Sequence, residues 1–258
     1  MKNNRYLIGL ILAIAVAGQA SAFHQSFAGE PFVTILPAYY DGDFPVSFQL
    51  QHFYIDGKIN SANAWLVGDY NKLVDVYAGG MIHGFKLISA GRRAEIENYE
   101  PELRVSVSPL KQEDNKMVDV SVNAGFSRMM FKQVFMGDKI TFNDDYAEFG
   151  ATVVRNFEDI ALVNLSPTWI YETQGKKTMG GLQSGLKLMY GKYLALVGES
   201  AWLFTNPYKY ATPWSYGLQF HVGPHTITAF STNIYSGTLS NMMIGIKKMT
   251  FYGFRLSL

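Results

Sequence analysis

From about residue 45 onward, apolar and polar residues alternate in segments of about ten, and no helical period persists. The clearest run sets Val118, Val120, Val122, Ala124 and Phe126 against Asp119, Ser121, Asn123, Gly125 and Ser127. The final run repeats the pattern, with Tyr252, Phe254, Leu256 and Leu258 on one face and Phe251, Gly253, Arg255 and Ser257 on the other. Successive side chains of a strand point to opposite sides of the sheet, so each run predicts a strand with one greasy and one mixed face. Strands are expected near 45–56, 61–70, 73–83, 97–108, 117–127, 146–156, 160–171, 180–190, 192–204, 213–222, 225–233 and 245–258. That is about twelve, an even number suited to an up-and-down antiparallel barrel with both ends on one side.

The connections fall into two groups. Asn71-Lys72, Glu158-Asp159, Gly191 and Gly223-Pro224 are tight, and 109–116 is somewhat longer. On the other side, 84–96, 128–145, 172–179, 205–212 and 234–244 are mostly longer and rich in Lys, Gly, Asn and Met; only 57–60 is short. Short periplasmic turns with longer outer loops are the membrane-barrel pattern. A soluble sandwich has no reason to segregate its loops in this way.

Facing points the same way. The outward stripes include Val74 and Val76, Leu103, Val105 and Val107, Leu182, Leu186 and Leu188, Leu194, Leu196 and Trp202, and Trp214, Tyr216, Leu218 and Phe220. No charged residue falls in the middle of these stripes, where Lys or Arg costs ~2–4 kcal/mol. Tyr54, Tyr70, Phe126, Tyr171, Tyr190, Phe204 and Trp214 sit towards strand ends, as expected of aromatic girdles at two lipid–water interfaces.

The first 22 residues have the three parts of an export signal: basic Lys2 and Arg5, an apolar run from Leu7 to Val16, and the small-residue site Ala20-Ser21-Ala22. The run is too short for a spanning helix, which needs ~20 apolar residues. Cleavage is expected before Phe23, for delivery to the bacterial outer membrane. Residues 23–44 contain Pro31, Pro37 and the Asp41-Gly42-Asp43 turn, which disfavour a long ladder. They are expected either at the periplasmic mouth or inside the lumen as a plug, and 45–258 form the barrel.

The whole chain carries 22 basic and 21 acidic residues; without Lys2 and Arg5 the balance is 20 to 21, with no basic block to attract nucleic acid. No cysteine is present, which excludes disulfides, thiolate metal sites and cysteine nucleophiles.

Three segments carry a family resemblance: Ser47-Phe-Gln-Leu-Gln-His52, Asn164-Leu-Ser-Pro-Thr-Trp169, and Gly223-Pro-His-Thr-Ile-Thr-Ala-Phe-Ser-Thr-Asn233 followed by Phe251-Tyr-Gly-Phe254. From Phe44 onward the chain resembles a family of outer-membrane β-barrel proteins of unknown function common in Bacteroidetes and relatives. The resemblance implies an integral outer-membrane barrel and brings no catalytic residues. Leu258 departs from the terminal aromatic of many barrels.

The chemistry on offer is that of a lumen. The inward face is expected to carry Asp75, Arg104, Asp119, Glu148, Lys187, Glu199, His221 and Arg255, with Gln49, Gln51, Asn123, Asn164 and Gln219 among them. Four acids against three fixed bases and one His are close to balance, which argues against strong ion selectivity. Arg104, Lys187, Glu199 and Arg255 are the expected constriction of any conducting path. The same set can equally serve as an internal network that neutralises itself and stiffens the barrel.

Catalysis finds little support. His52 is the one candidate base for an acyl hydrolase on the lipid face, and no outward Ser is expected beside it. His24, His52, His83, His221 and His225 show no ligand spacing on one face. Met129-Met130, Met136 and Met242-Met243 fall on expected outer loops, where methionines without histidine neighbours are weak metal ligands. No cofactor and no metal is expected. The favoured reading is a non-enzymatic barrel, either a narrow or gated passage for a small solute or a structural barrel displaying loops. Its expected partners are outer-membrane lipids and the assembly machinery that engages the C-terminal strand. An exported soluble carrier of a small apolar ligand and an outer-membrane acyl hydrolase are the alternatives.

Overall fold

A computed structural model describes residues 46–257 except 56–57, 71–72, 84–87, 90–91, 111–116, 136–137, 158–159, 223–224 and 248–249. The expected export signal and the 23–44 extension lie outside the described residues, as does Leu258. The strands are β1 (Val46–Ile55), β2 (Lys58–Tyr70), β3 (Val74–His83), β4 (Ile88–Ser89), β5 (Arg92–Leu110), β6 (Asp119–Phe135), β7 (Asp138–Phe157), β8 (Ala161–Glu172), β9 (Lys177–Tyr190), β10 (Leu194–Thr205), β11 (Trp214–Val222), β12 (His225–Thr232) and β13 (Phe251–Ser257).

Each strand of the wall pairs antiparallel with its neighbours. Two further pairings close the circle. β1 meets β13 with Gln51 opposite Arg255, and β3 meets β5 with Val76 opposite Val105. The two-residue β4 pairs only with β5 and stands apart from the wall, leaving a closed barrel of twelve staves. Closure matters because it leaves no unpaired edge for hydrocarbon to meet. At the β9–β10 turn, Gly191 takes a φ of +61°, a left-handed conformation that glycine adopts without a Cβ penalty.

The wall is inside out relative to a soluble fold. Outward Trp202 is 72% exposed and Phe149 62%, whereas inward Asp75, Glu100 and Asn63 are 0% exposed. On β7 the outward stripe runs Val153, Ala151, Phe149, Ala147 between Arg155 at one rim and Asp145 at the other. Ten residues at ~3.3 Å, tilted by ~35–45°, span ~25 Å, the height of a bilayer's apolar band. Arg155 lies over the Phe157 ring at 5.0 Å and donates to the Met117 carbonyl at 2.9 Å, a rim arrangement.

Aromatics form two belts. Tyr70, Phe157, Tyr190 and Tyr193 are exposed at the tight-turn end. At the loop end stand Tyr54, Tyr171, Phe204 and Trp214, the last stacked on Tyr216 at 5.3 Å. All seven expected girdle residues, Phe126 among them, point outward.

Three expected connections differ from the structure. Residues 128–145 are no loop: β6 and β7 continue their ladder to Phe135 opposite Asp138. β5 already begins at Arg92, inside the expected 84–96 loop. The last strand begins at Phe251 rather than near 245, because the residues before it leave the wall and enter the barrel.

Candidate functional site

The segment after β12 does not face outward as the expected outer loop 234–244. It folds into the lumen, and Ile234, Ser236, Thr238, Leu239, Ser240, Met242 and Met243 are all buried. Its two ends meet in a neck, where Ile234 and Ala211 each bridge to Gly245. Ile246 donates its N–H to the Asn233 carbonyl at 2.9 Å. The Asn233 side chain ties this neck to the start of β11, accepting from the Trp214 N–H at 2.7 Å and donating to the Thr212 carbonyl at 2.9 Å. A Cβ on Gly245 would lie 2.4 Å from the Ala211 carbonyl oxygen, so the neck requires glycine there.

Beyond the neck the plug has two sides. Its polar side meets β2 and β5. Ser236 donates to Asn63 Oδ1 at 3.0 Å, and Ser61 donates to the Tyr235 carbonyl at 2.9 Å. Glu100 accepts from Thr238 Oγ1 at 2.6 Å, from the Ser240 N–H at 2.9 Å and from the Ser240 hydroxyl. Glu102 accepts from the Leu239 N–H at 3.0 Å. The wall supplies further donors, Ser127 to Glu100 at 2.6 Å, and Trp65 Nε1 at 2.7 Å and Arg104 at 2.9 Å to Glu102. A buried carboxylate is tolerated only when its lone pairs are filled; here the plug fills much of that need.

The apolar side faces the opposite arc. Leu239, Met242 and Met243 cluster with Tyr146, Ile170 and Met179, and with the partly buried Met129, Leu203, Tyr208 and Tyr210. Two wall glycines make room for it. A Cβ on Gly181 would stand 2.7 Å from Met243 Cε, and one on Gly125 would stand 3.1 Å from Leu239 Cδ1. Above the cluster, Tyr208 donates its hydroxyl to Glu172. Burial and that neighbouring carboxylate push the Tyr208 phenol up from its ordinary range.

Seven of the eight expected lumen residues, Asp75, Arg104, Asp119, Glu148, Lys187, Glu199 and Arg255, are buried on the inward face, and His221 is half-buried. They do not form one ring. Arg104 sits at the plug, 2.9 Å from Glu102 and 3.9 Å from Glu148, and donates to the Gly237 carbonyl at 2.8 Å. Lys187 and Arg255 lie near the tight-turn ends of β9 and β13, where Arg255 donates to Gln49. Of the expected constriction, Arg104 bonds directly to the segment that enters the lumen.

Three inward acids escaped the sequence reading: Glu100, Glu102 and Asp144. With them, seven buried acids face three buried fixed cations, so the expected near balance does not hold among the described residues. Glu100 and Glu102 share the alternation that points Leu103 and Val105 outward. The plug also had a signal, since no residue between Asn233 and Ile246 is charged.

His52 faces outward beside two rings, with Phe254 stacked on it at 4.9 Å and Tyr54 at 6.2 Å. Ser61 points to the lumen, so His52 lacks a nucleophile from that strand position. Among the described residues, no group of three or more His, Asp or Glu is placed to hold a metal ion.

No family model matches the chain, and no curated protein matches it. Among solved structures it is similar to in-vitro folded OmpT, an outer membrane protein of Vibrio cholerae in its trimer form. That likeness has a TM-score of 0.42 and 8% identity, covering 82% of this chain and 96% of that one. Outer-membrane expressed OmpT of Vibrio cholerae gives a TM-score of 0.40 at 9% identity, covering 82% and 93%. A TodX monoaromatic hydrocarbon channel mutant gives 0.32 at 6% identity, covering 82% and 86%.

Proposed function

We propose that this chain is a non-enzymatic integral protein of the bacterial outer membrane, a narrow gated passage for a small solute, closed here by residues 233–247. Residues 1–22 act as its export signal, the girdled wall meets outer-membrane lipid, and the assembly machinery engages β13. The chain is placed with the uncharacterised outer-membrane barrels that it resembles.

One observation carries the passage reading. The lumen wall is polar, and among the described residues the segment that enters it is held to Glu100, Glu102 and Asn63 by hydrogen bonds that belong to no strand ladder of the barrel. The exposed apolar band weighs against the soluble carrier, since soluble monomers rarely leave contiguous apolar surface of this extent in water.

The test compares the full protein with a variant in which 234–244 are replaced by a short Gly-Ser link, both in planar bilayers. The variant is expected to conduct well above the full protein. Conductance equal to bare lipid for both proteins rejects the passage. Release of the full protein from membranes by carbonate rejects the integral-barrel assignment.

A further inference from the structure

We propose that Glu100 and Glu102 are the latch of the plug, and that the plug opens by swinging about its Asn233–Gly245 neck when that latch is lost. This rests on the passage reading above and specifies how that passage is regulated.

Two separate sets of bonds hold the segment. The neck is held by the Ile234 and Ala211 bridges to Gly245 and by the Asn233 side chain on β11. None of these bonds involves β5. The latch is held chiefly on β5, through Thr238 and Ser240 on Glu100, Leu239 on Glu102 and the Gly237 carbonyl on Arg104, with Asn63 and Ser61 of β2 adding bonds to Ser236 and Tyr235. A segment anchored at one wall and fastened at another has two arrangements, and losing the second set leaves the first intact.

The chemistry of the latch is asymmetric. An ionised carboxylate only accepts hydrogen bonds, and each plug group aimed at Glu100 is a donor. When the plug leaves, lumen water replaces these donors, so the carboxylates are satisfied in both arrangements. A glutamine at 100 keeps the shape and turns one acceptor into a donor. It removes the charge that strengthens the bonds from the Ser240 N–H and from the Thr238 and Ser240 hydroxyls in the closed form, whereas lumen water solvates either side chain in the open one. A change that acts on one state only shifts the population towards the other. The apolar contacts of Leu239, Met242 and Met243 oppose release and keep the closed form dominant.

The test records single channels from the full chain, from Glu100→Gln, and from the plug-side pair Thr238→Val with Ser240→Ala, which removes the two hydroxyl donors to Glu100 and leaves the wall untouched. Each is checked first for the mobility shift on unboiled gels that reports a folded barrel. Both variants are expected to raise the open fraction by about tenfold or more, the effect of losing one charge-assisted hydrogen bond. A lock supplies the converse. The chain has no cysteine, and Ser236 Oγ lies 3.0 Å from Asn63 Oδ1. Asn63→Cys with Ser236→Cys, added to Glu100→Gln and oxidised, is expected to close the channel, and reduction to reopen it.

If the Gly-Ser variant conducts while both latch variants keep the full chain's open fraction, the latch is wrong and the passage stands. An oxidised lock that conducts as freely as its reduced form also overturns the latch. If the Gly-Ser variant is itself silent, the passage fails and the latch fails with it. Should Glu100→Gln not fold, the plug-side pair decides alone.

Discussion

At the scale of single residues, Arg104 and Arg128 make an instructive pair. Both are drawn against carboxylates, and their surroundings differ. Arg128 bonds Asp145 through Nε at 2.7 Å and Nη2 at 2.9 Å on the outer surface, with its side chain 56% exposed. Water screens such a pair, and Arg128→Gln is expected to leave stability unchanged within error. Arg104 is buried between Glu102 and Glu148, and its loss strands both carboxylates. Arg104→Gln is expected to cost ~3–5 kcal/mol. Urea unfolding in detergent micelles measures both; equal losses sink the account of a buried ion cluster. Arg104 and Glu148 are legible in the sequence because alternation assigns them to the inward face. Glu100 and Glu102 follow the same alternation, yet they stand beside Glu95 and Glu97 in a run whose charge density reads as a solvated strand end. Nothing in the sequence says that uncharged residues more than a hundred positions away will supply donors to them.

At the scale of elements, the strands are legible wherever hydrocarbon enforces alternation, and their ends blur where it stops. β8 is expected at 160–171 and found at Ala161–Glu172. β6 and β7 show the other case. Beyond Arg128 and Asp145 the sequence mixes Lys132, Gln133, Lys139 and Thr141 with apolar residues. The period of two that marks a strand then fades, although the backbone ladder continues to Phe135 and Asp138. Met129, at the base of this extension, packs against the plug cluster. Replacing 132–141 with a two-residue Asn-Gly turn is therefore expected to leave the barrel's gel shift and its plug intact. A variant that reaches the membrane and fails to show the folded-barrel mobility would show that the hairpin is needed for assembly. The plug presents the reverse difficulty. A chain that folds back into its own lumen is uncharged like a buried element but carries no period, so composition marks it and pattern does not.

At the scale of the molecule, the question is what field an opened lumen presents. Asp75, Asp119, Asp144, Glu148 and Glu199 line it already, and the plug covers Glu100 and Glu102. Against them stand Arg104, Lys187 and Arg255. Low-dielectric walls focus such an excess of one sign, and acidic pore linings favour cations. The uncovered passage is thus expected to prefer potassium over chloride. Under a roughly tenfold KCl gradient, the Gly-Ser variant should show a zero-current potential displaced towards the potassium equilibrium value. Adding Glu100→Gln and Glu102→Gln to that variant should move the potential back towards zero, because these two carboxylates face water only once the plug is gone. Raising the salt should also erode the preference, since the screening length falls to about 3 Å at 1 M. A potential at zero or on the chloride side would mean that the acids are neutralised within the wall, through protonation or pairing. Their excess would then be structural, as in a self-compensating interior network, and the solute would have to be selected by size and by the apolar arc around Ile170 and Met179 instead.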